Sequence, residues 1–274
     1  MIETHDLTYR YPGSGTRVMD GFSLRLDDGR IYGLLGQNGV GKTTLIDLIS
    51  GLLRPTAGTV SIDGVESRRR DPGILADLFY VQDEFALPRV SLSTYIRVNS
   101  PFYPKFDKGE LARCLDEFGM TAGSRRLDQL SLGERKKVML SLALASGAKT
   151  ILMDEPSNGL DIPSKAQFRK VLASAMTDER LIVISTHQVH DVSQLIDNVV
   201  VIDNRRILLN ATMGEIAEQY HFCTLAPGET TPDIIYSEPN IGGLGVMSRR
   251  QPGQDESHVN LEMLFNAATR GLIN

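Results

Sequence analysis

The chain has no tryptophan and only two cysteines, Cys114 and Cys223, in 274 residues. Two cysteines without metal-ligand spacing exclude a thiolate zinc site and a disulfide framework, and they fit a reducing compartment. No apolar run approaches the ~20 residues that a bilayer-spanning helix needs. The first residues, MIETHDLTYRY, carry charge from the third position on, unlike a secretory leader. A soluble cytoplasmic chain is therefore expected, and if it works at a membrane another chain supplies the spanning part. Positive charge is not in excess: 29 Lys and Arg against 34 Asp and Glu leave a formal charge of −5. That balance argues against a nucleic-acid partner. With 41% hydrophobic and 23% charged residues, and no internal repeat or low-complexity segment, the composition is that of an ordinary globular protein.

What is present centres on residues 36–43, GQNGVGKT, which fit the phosphate-loop pattern G-x-x-x-x-G-K-[ST]. An apolar run at 31–35 precedes the loop as a buried strand would. Thr44, Leu45, Ile46, Leu48 and Ile49 follow with helical spacing. The loop should therefore close over a helix N-terminus, where backbone N–H groups and the helix dipole favour an anion. Gly36, Gly39 and Gly41 let those N–H groups approach phosphate oxygens with no Cβ in the way, Lys42 reaches the β- and γ-phosphates, and Thr43 can hold Mg²⁺. A plain glycine-rich turn needs neither the Lys-Thr pair nor the flanking strand and helix.

The rest of the chain reads as an α/β protein. Residues 2–11 and 18–26 predict an antiparallel pair of strands, with Tyr9 and Tyr11 either as ordinary strand aromatics or as platforms for a base. A short strand is expected at 58–64, a short helix at 71–77, and a strand at 78–82 ending in Gln82. From Ser91 to Ser124 the spacing turns helical, broken by Pro101 and Pro104, which suggests a helical insertion at about 85–135. Residues 130–133 read as a turn and 134–145 as a helix. Lys136 and Lys137 stand at the dipole-unfavourable end of that helix, either on a solvated face or where an anion docks.

The apolar strand 150–153 runs into Asp154-Glu155-Pro156. Paired carboxylates at a strand end, downstream of a phosphate loop, make the second half of a nucleotide-hydrolysis site, because buried acids are costly unless a cation or proton relieves them. A further strand at 181–185 ends just before His187, and 199–203 with 206–210 predict a hairpin. From Gln219 on, prolines and glycines interrupt short apolar pieces, with a final helix expected at 260–268. We divide the chain at 1–220 and 221–274, the second part a small α+β appendage.

These ordered motifs resemble the ATP-binding subunits of ABC transporters over residues 2 to about 220. The resemblance implies a P-loop NTPase core with a mixed or parallel sheet, an antiparallel β entry subdomain and an inserted helical subdomain. It implies ATP and Mg²⁺ as ligands, with Gly36, Gln37, Asn38, Gly39, Val40, Gly41, Lys42, Thr43 and Thr44 as the Walker A segment. Asp154 is similar to the Walker B carboxylate that helps hold Mg²⁺, and Glu155 to the general base that polarises water. Gln82 corresponds to the Q-loop glutamine, which senses Mg²⁺ or water. Residues 157–161, SNGLD, look like the D-loop ending in Asp161, and His187 resembles the switch histidine that contacts the γ-phosphate. Tyr11 is the first choice for the ring that stacks on adenine and Tyr9 the second.

The family signature LSGGQ reads here LSLGE. Ser131 and Gly133, which in the family touch the γ-phosphate of ATP on the other protomer, are kept. Leu132 adds bulk where the family has glycine, and Glu134 adds negative charge. The resemblance implies a dimer sandwich with a second ATP-binding subunit, a separate integral membrane permease, and attachment to the cytoplasmic face of the membrane. Phe102, Tyr103 and Phe106 lie where the family docks its membrane subunit, or else pack the helical insertion. FYPKFD and the late LEMLF helix look similar to type-two exporters, so export of a substrate is the expectation. Two other classes are weighed: a soluble ABC-type ATPase acting in assembly or repair, and a nucleotide-binding regulatory module without turnover. Glu155 and His187 speak against the latter, since a binding-only site needs no base.

Overall fold

The computed structural model describes residues 1–120 and 126–273. The expected helical stretch to Ser124 runs into residues 121–125, outside the described residues. In chain order the elements are β1 (Ile2–Tyr9), β2 (Met19–Leu26), β3 (Ile31–Leu35), α1 (Lys42–Ile49), β4 (Ala57–Ile62), β5 (Val65–Glu66), α2 (Pro72–Ala76) and β6 (Leu78–Val81). They continue with α3 (Leu92–Asn99), α4 (Lys108–Glu117), α5 (Leu132–Ala145), β7 (Thr150–Asp154), α6 (Ile162–Ala175), β8 (Leu181–Thr186), α7 (Val189–Val192) and β9 (Asn198–Asp203). Last come β10 (Arg206–Thr212), α8 (Met213–Gln219), β11 (Tyr220–Leu225), β12 (Ile234–Asn240), β13 (Gly243–Arg249) and α9 (Leu261–Thr269).

The central sheet has the order β10-β9-β3-β8-β7-β6, parallel throughout except for β10, which pairs antiparallel with β9. Its middle strands IYGLL, TILMD and LIVIST are buried at every position, as unbroken apolar runs must be when both sheet faces are covered. The side chains alternate between two cores. Tyr32, Leu34, Leu181 and Val183 face α1 and the antiparallel sheet β2-β1-β4-β5. Ile31, Leu35, Ile182 and Ile184 join the core built with α4, α5 and α6.

Register brings the site together. Leu35 at the end of β3 stands opposite Thr186 of β8, and Asp154 at the end of β7 stands opposite Ser185. The phosphate loop, the acidic pair and His187 therefore leave neighbouring parallel strands at their carboxyl ends, the edge where open α/β sheets form their crevice.

A second antiparallel sheet, β11-β13-β12, follows α8, and α9 packs on β12 and β13 as well as on α7, β9 and β10. The expected division at 220/221 falls one residue inside β11. The turn expected at 130–133 is shorter than that: Leu132 and Gly133 already belong to α5, with Ser131 as its N-cap. Glu134 completes a capping box, its carboxylate accepting the Ser131 N–H at 2.8 Å while Ser131 Oγ accepts the Glu134 N–H at 3.2 Å. The charge that the LSLGE variant adds is thus used to cap the helix.

Candidate active site

The phosphate loop links β3 to α1. Gly41 is the N-cap of α1 with φ 113°, a left-handed conformation that side chains rarely adopt, and a Cβ there would also come within 2.9 Å of Val18. A Cβ at Gly36 would meet the Ile202 carbonyl at 2.8 Å. No side chain caps α1 and no acid lies in its first turn, so its N-terminal N–H groups are offered to an anion. Lys42 is buried, and its ammonium donates to the Gly36 carbonyl at 2.8 Å and the Gln37 carbonyl at 3.3 Å. It also lies 3.5 Å from Glu155 Oε1. Burial pushes its pKa below the ordinary lysine value, against the opposing pull of Glu155 and Asp154.

Thr43 and Asp154, far apart in sequence, meet directly: Thr43 Oγ1 donates to Asp154 Oδ2 at 2.6 Å. The other oxygen, Oδ1, accepts from Ser185 Oγ, which fixes the carboxylate plane. A hydroxyl and a carboxylate converging at one point are hard oxygen donors suited to Mg²⁺, which keeps several water ligands and needs few from protein. Among the described residues no cluster of three or more His, Cys, Asp or Glu forms a metal cage.

Glu155 has φ 44°, a left-handed backbone conformation for a non-glycine residue. Its N–H donates to the Ser185 carbonyl at 3.0 Å, and its carbonyl accepts the Asn158 N–H at 3.1 Å. Its buried carboxylate accepts the His187 N–H at 3.1 Å and lies 2.8 Å from His187 Nδ1. Lys42, Thr43, Asp154, Glu155 and His187 thus line one cleft of ≈ 430 Å³, together with Tyr11, Asn38, Gly39, Gly41 and Thr44.

Tyr11 is 42% exposed at the rim, with its hydroxyl 2.9 Å from Thr44 Oγ1. Tyr9 is 4% exposed in the core beneath it, so the second choice for a stacking ring has no face to offer. Gln82 is exposed immediately after β6 and does not line the cleft, whereas its neighbour Asp83 does. Ser131, Gly133 and Asp161 also lie outside the cleft lining. Asp161 caps α6 by accepting the Ser164 N–H at 2.9 Å, and hydrogen bonding from Ser164 lowers its pKa. Gln37 and Val40 belong to the loop itself.

Three residues have surroundings that the sequence does not reveal, one of them, Asn158, inside the SNGLD segment. Asp83 and Asn158 line the cleft, and Lys136 lies behind it. Of the two readings of Lys136 the solvated face fails, since it is 1% exposed, and the anion it meets is the chain's own Asp83, to whose Oδ1 it donates at 2.8 Å beside a 2.7 Å bond to the Glu155 carbonyl. The available signal was the cation at the wrong end of the helix dipole, which required a buried acceptor. Between the helical insertion and β6, Tyr95, Ile96, Tyr103 and Phe106 line a groove of ≈ 180 Å³ together with Phe79 and Tyr80, while Phe102 is 69% exposed. Among the described residues no helix is long and apolar enough to cross a membrane.

The family model described as "ABC transporter" matches residues 19–158, half of the chain. The ABC transporter ATP-binding protein YtrB of Bacillus subtilis is 26% identical over 88% of this chain and 82% of its own length. The methionine import ATP-binding protein MetN of Carboxydothermus hydrogenoformans is 30% identical over 79% of this chain and 67% of its own. A solved ATP-binding subunit of an ABC transporter superimposes with a TM-score of 0.71 at 25% identity, covering 79% of this chain and 91% of that one. Relatives that include an import protein leave the expected outward direction of transport unfixed. The chain belongs to the ABC transporter family as an ATP-binding subunit that hydrolyses ATP.

Proposed function

We propose that two such subunits sandwich ATP and drive outward transport through a separate membrane-spanning chain. The observation that carries this reading is the Glu155–His187 contact at 2.8 Å, set beside the Thr43–Asp154 pair in a cleft opening at the strand ends. The α1 N–H groups and Lys42 would bind the phosphates, and the Tyr11 ring would lie against adenine. Thr43 and Asp154 would hold Mg²⁺, which supplies charge neutralisation at the phosphate oxygens when bound. Glu155 takes the proton from water as its oxygen bonds to the γ-phosphorus and the bond to the bridging oxygen breaks, leaving ADP and phosphate. His187 holds the Glu155 carboxylate in place for that transfer.

The sandwich is supported by where the signature lies. Ser131 is exposed at the N-terminus of α5 and outside its own cleft, free to reach the ATP of a second copy or a similar subunit. Docking to a membrane chain is favoured by the groove between α3 and the FYPKFD segment, walled by Tyr95, Ile96, Tyr103 and Phe106. That segment's likeness to type-two exporters favours export.

The test is light scattering of Glu155→Gln protein. ATP with Mg²⁺ should convert monomer to dimer and ADP should not. A protein that stays monomeric with ATP would overturn the homodimeric form of the reading. Reconstitution with a co-purified membrane chain tests direction: substrate accumulating inside inverted vesicles supports export, and loss from them contradicts it.

A further inference from the structure

We infer that Lys136 is a positioning residue that fixes the Glu155 peptide and links it to the segment after β6. The inference rests on the reading of Glu155 as the base. Three constraints meet at one ammonium group. Lys136 is the fifth residue of α5, just past the N-terminal turn, where the helix offers its cation no stabilisation. It is 1% exposed, so its charge is desolvated and has to be matched. Its Nζ donates to Asp83 Oδ1 at 2.8 Å and to the Glu155 carbonyl at 2.7 Å.

The second bond has a consequence for the reaction. Glu155 holds a left-handed φ of 44°, which costs on the order of 1–3 kcal/mol and persists only where the surroundings over-determine it. Ser185 fixes one side of the residue through its carbonyl, and Lys136 with the Asn158 N–H fixes the other. With the peptide clamped on both sides, the Cα position is set so that the carboxylate meets His187 and Lys42. The first bond extends the clamp sideways. Asp83 Oδ1 also accepts from Asn158 Nδ2 at 3.4 Å, Asn158 Oδ1 accepts from Gln188 Nε2 at 3.1 Å, and Gln188 follows His187 directly. Lys136 thus joins the helix that begins with Ser131 to the residue beside Gln82, to the base, and to the segment carrying His187. A shift of α5 moves the carbonyl that sets the base.

The experiment compares steady-state ATP turnover of Lys136→Met and Lys136→Gln with that of the unaltered chain and Glu155→Gln. Lys136→Met should lower kcat at least about tenfold while KM for ATP stays within about twofold, because a transition-state geometry is lost and the nucleotide contacts are not. Lys136→Gln keeps a neutral donor and should recover part of kcat. It also serves if the methionine variant does not fold. Nucleotide affinity, read in the Glu155→Gln background with a fluorescent ATP analogue, should be unchanged by either substitution. Wild-type kcat in a folded Lys136→Met protein overturns the inference, as does a fall in kcat matched by lost affinity or, where the methionine variant does not fold, wild-type kcat in Lys136→Gln. If Glu155→Gln itself turns over normally, the reading of the base fails instead, and that result is separate.

Discussion

Thr43 Oγ1 and Asp154 Oδ2 are 2.6 Å apart although 111 residues separate them in the chain. The contact brings together a loop hydroxyl and a strand-end carboxylate, the two groups proposed to hold Mg²⁺, and it follows from β3 and β7 both flanking β8. Asp154→Asn should therefore keep the hydrogen bond and ATP binding yet lose about 10²-fold or more in turnover, as expected when charge is removed from a preorganised site. Parallel titrations of ATP with and without Mg²⁺ check this: the cation's effect on affinity should shrink in the variant.

His187 is half-exposed and meets Glu155 through both its N–H and its ring. His187→Ala removes the ring and leaves the backbone contact. A kcat lower by about 10²-fold at nearly unchanged KM is expected, since the ring meets the carboxylate proposed to receive the proton. Unchanged kcat would show that the backbone N–H alone is sufficient.

Ser131 has one observed role, as N-cap, and one proposed role, at a partner's ATP, and the two separate cleanly. As N-cap of α5 its loss in Ser131→Ala should cost about 1 kcal/mol of stability, read as a lower Tm. Asparagine is an equally good cap, so Ser131→Asn should recover the Tm. It should not recover ATP turnover, because the hydroxyl proposed to meet the partner's γ-phosphate is gone. Recovery of both would reduce Ser131 to a cap.

Cys114 is buried in α4, and burial pushes its thiol pKa from 9.0 up to about 12. The sign follows from linkage: a raised folded value means the native state holds its proton above pH 9 while the unfolded chain has lost it. This contribution to stability is present below about pH 9 and declines as pH rises toward about 12, so Cys114→Ser or Cys114→Ala should flatten the alkaline fall in Tm. At pH 8 a thiol reagent should modify Cys223, which is only partly buried, ahead of Cys114.

Much of the site was legible because its parts depend on local chemistry. The run IYGLL before GQNGVGKT, the run TILMDE and the run LIVISTH each announce an apolar strand ending in a reactive group, and the strands lie where those runs are. What was not legible depends on distance in space. Lys136 stays open between a solvated face and a place where an anion docks, because a helix period says which residues share a face and not what that face meets. Tyr11 is the first choice for the stacking ring and Tyr9 the second, and the structure separates them because β1 ends at Tyr9, which stays in the core, while Tyr11 lies beyond the strand at the rim. Glu134 looked like a charge opposed to phosphate, but its three-residue spacing from Ser131 is that of a capping box, a signal present in the sequence and outweighed there by the signature motif. The pairing of β11 with β13 rather than with β12 was out of reach, since glycine- and proline-rich strands carry weak register information.

The central claim is that Glu155 is the base of a site completed by a second subunit. The most direct measurement is the mass of Glu155→Gln protein by light scattering with Mg²⁺ and ATP, then with Mg²⁺ and ADP. The account predicts a dimer with ATP that is lost with ADP, together with abolished steady-state hydrolysis. A monomer in both nucleotides that still hydrolyses ATP at the unaltered rate would contradict it.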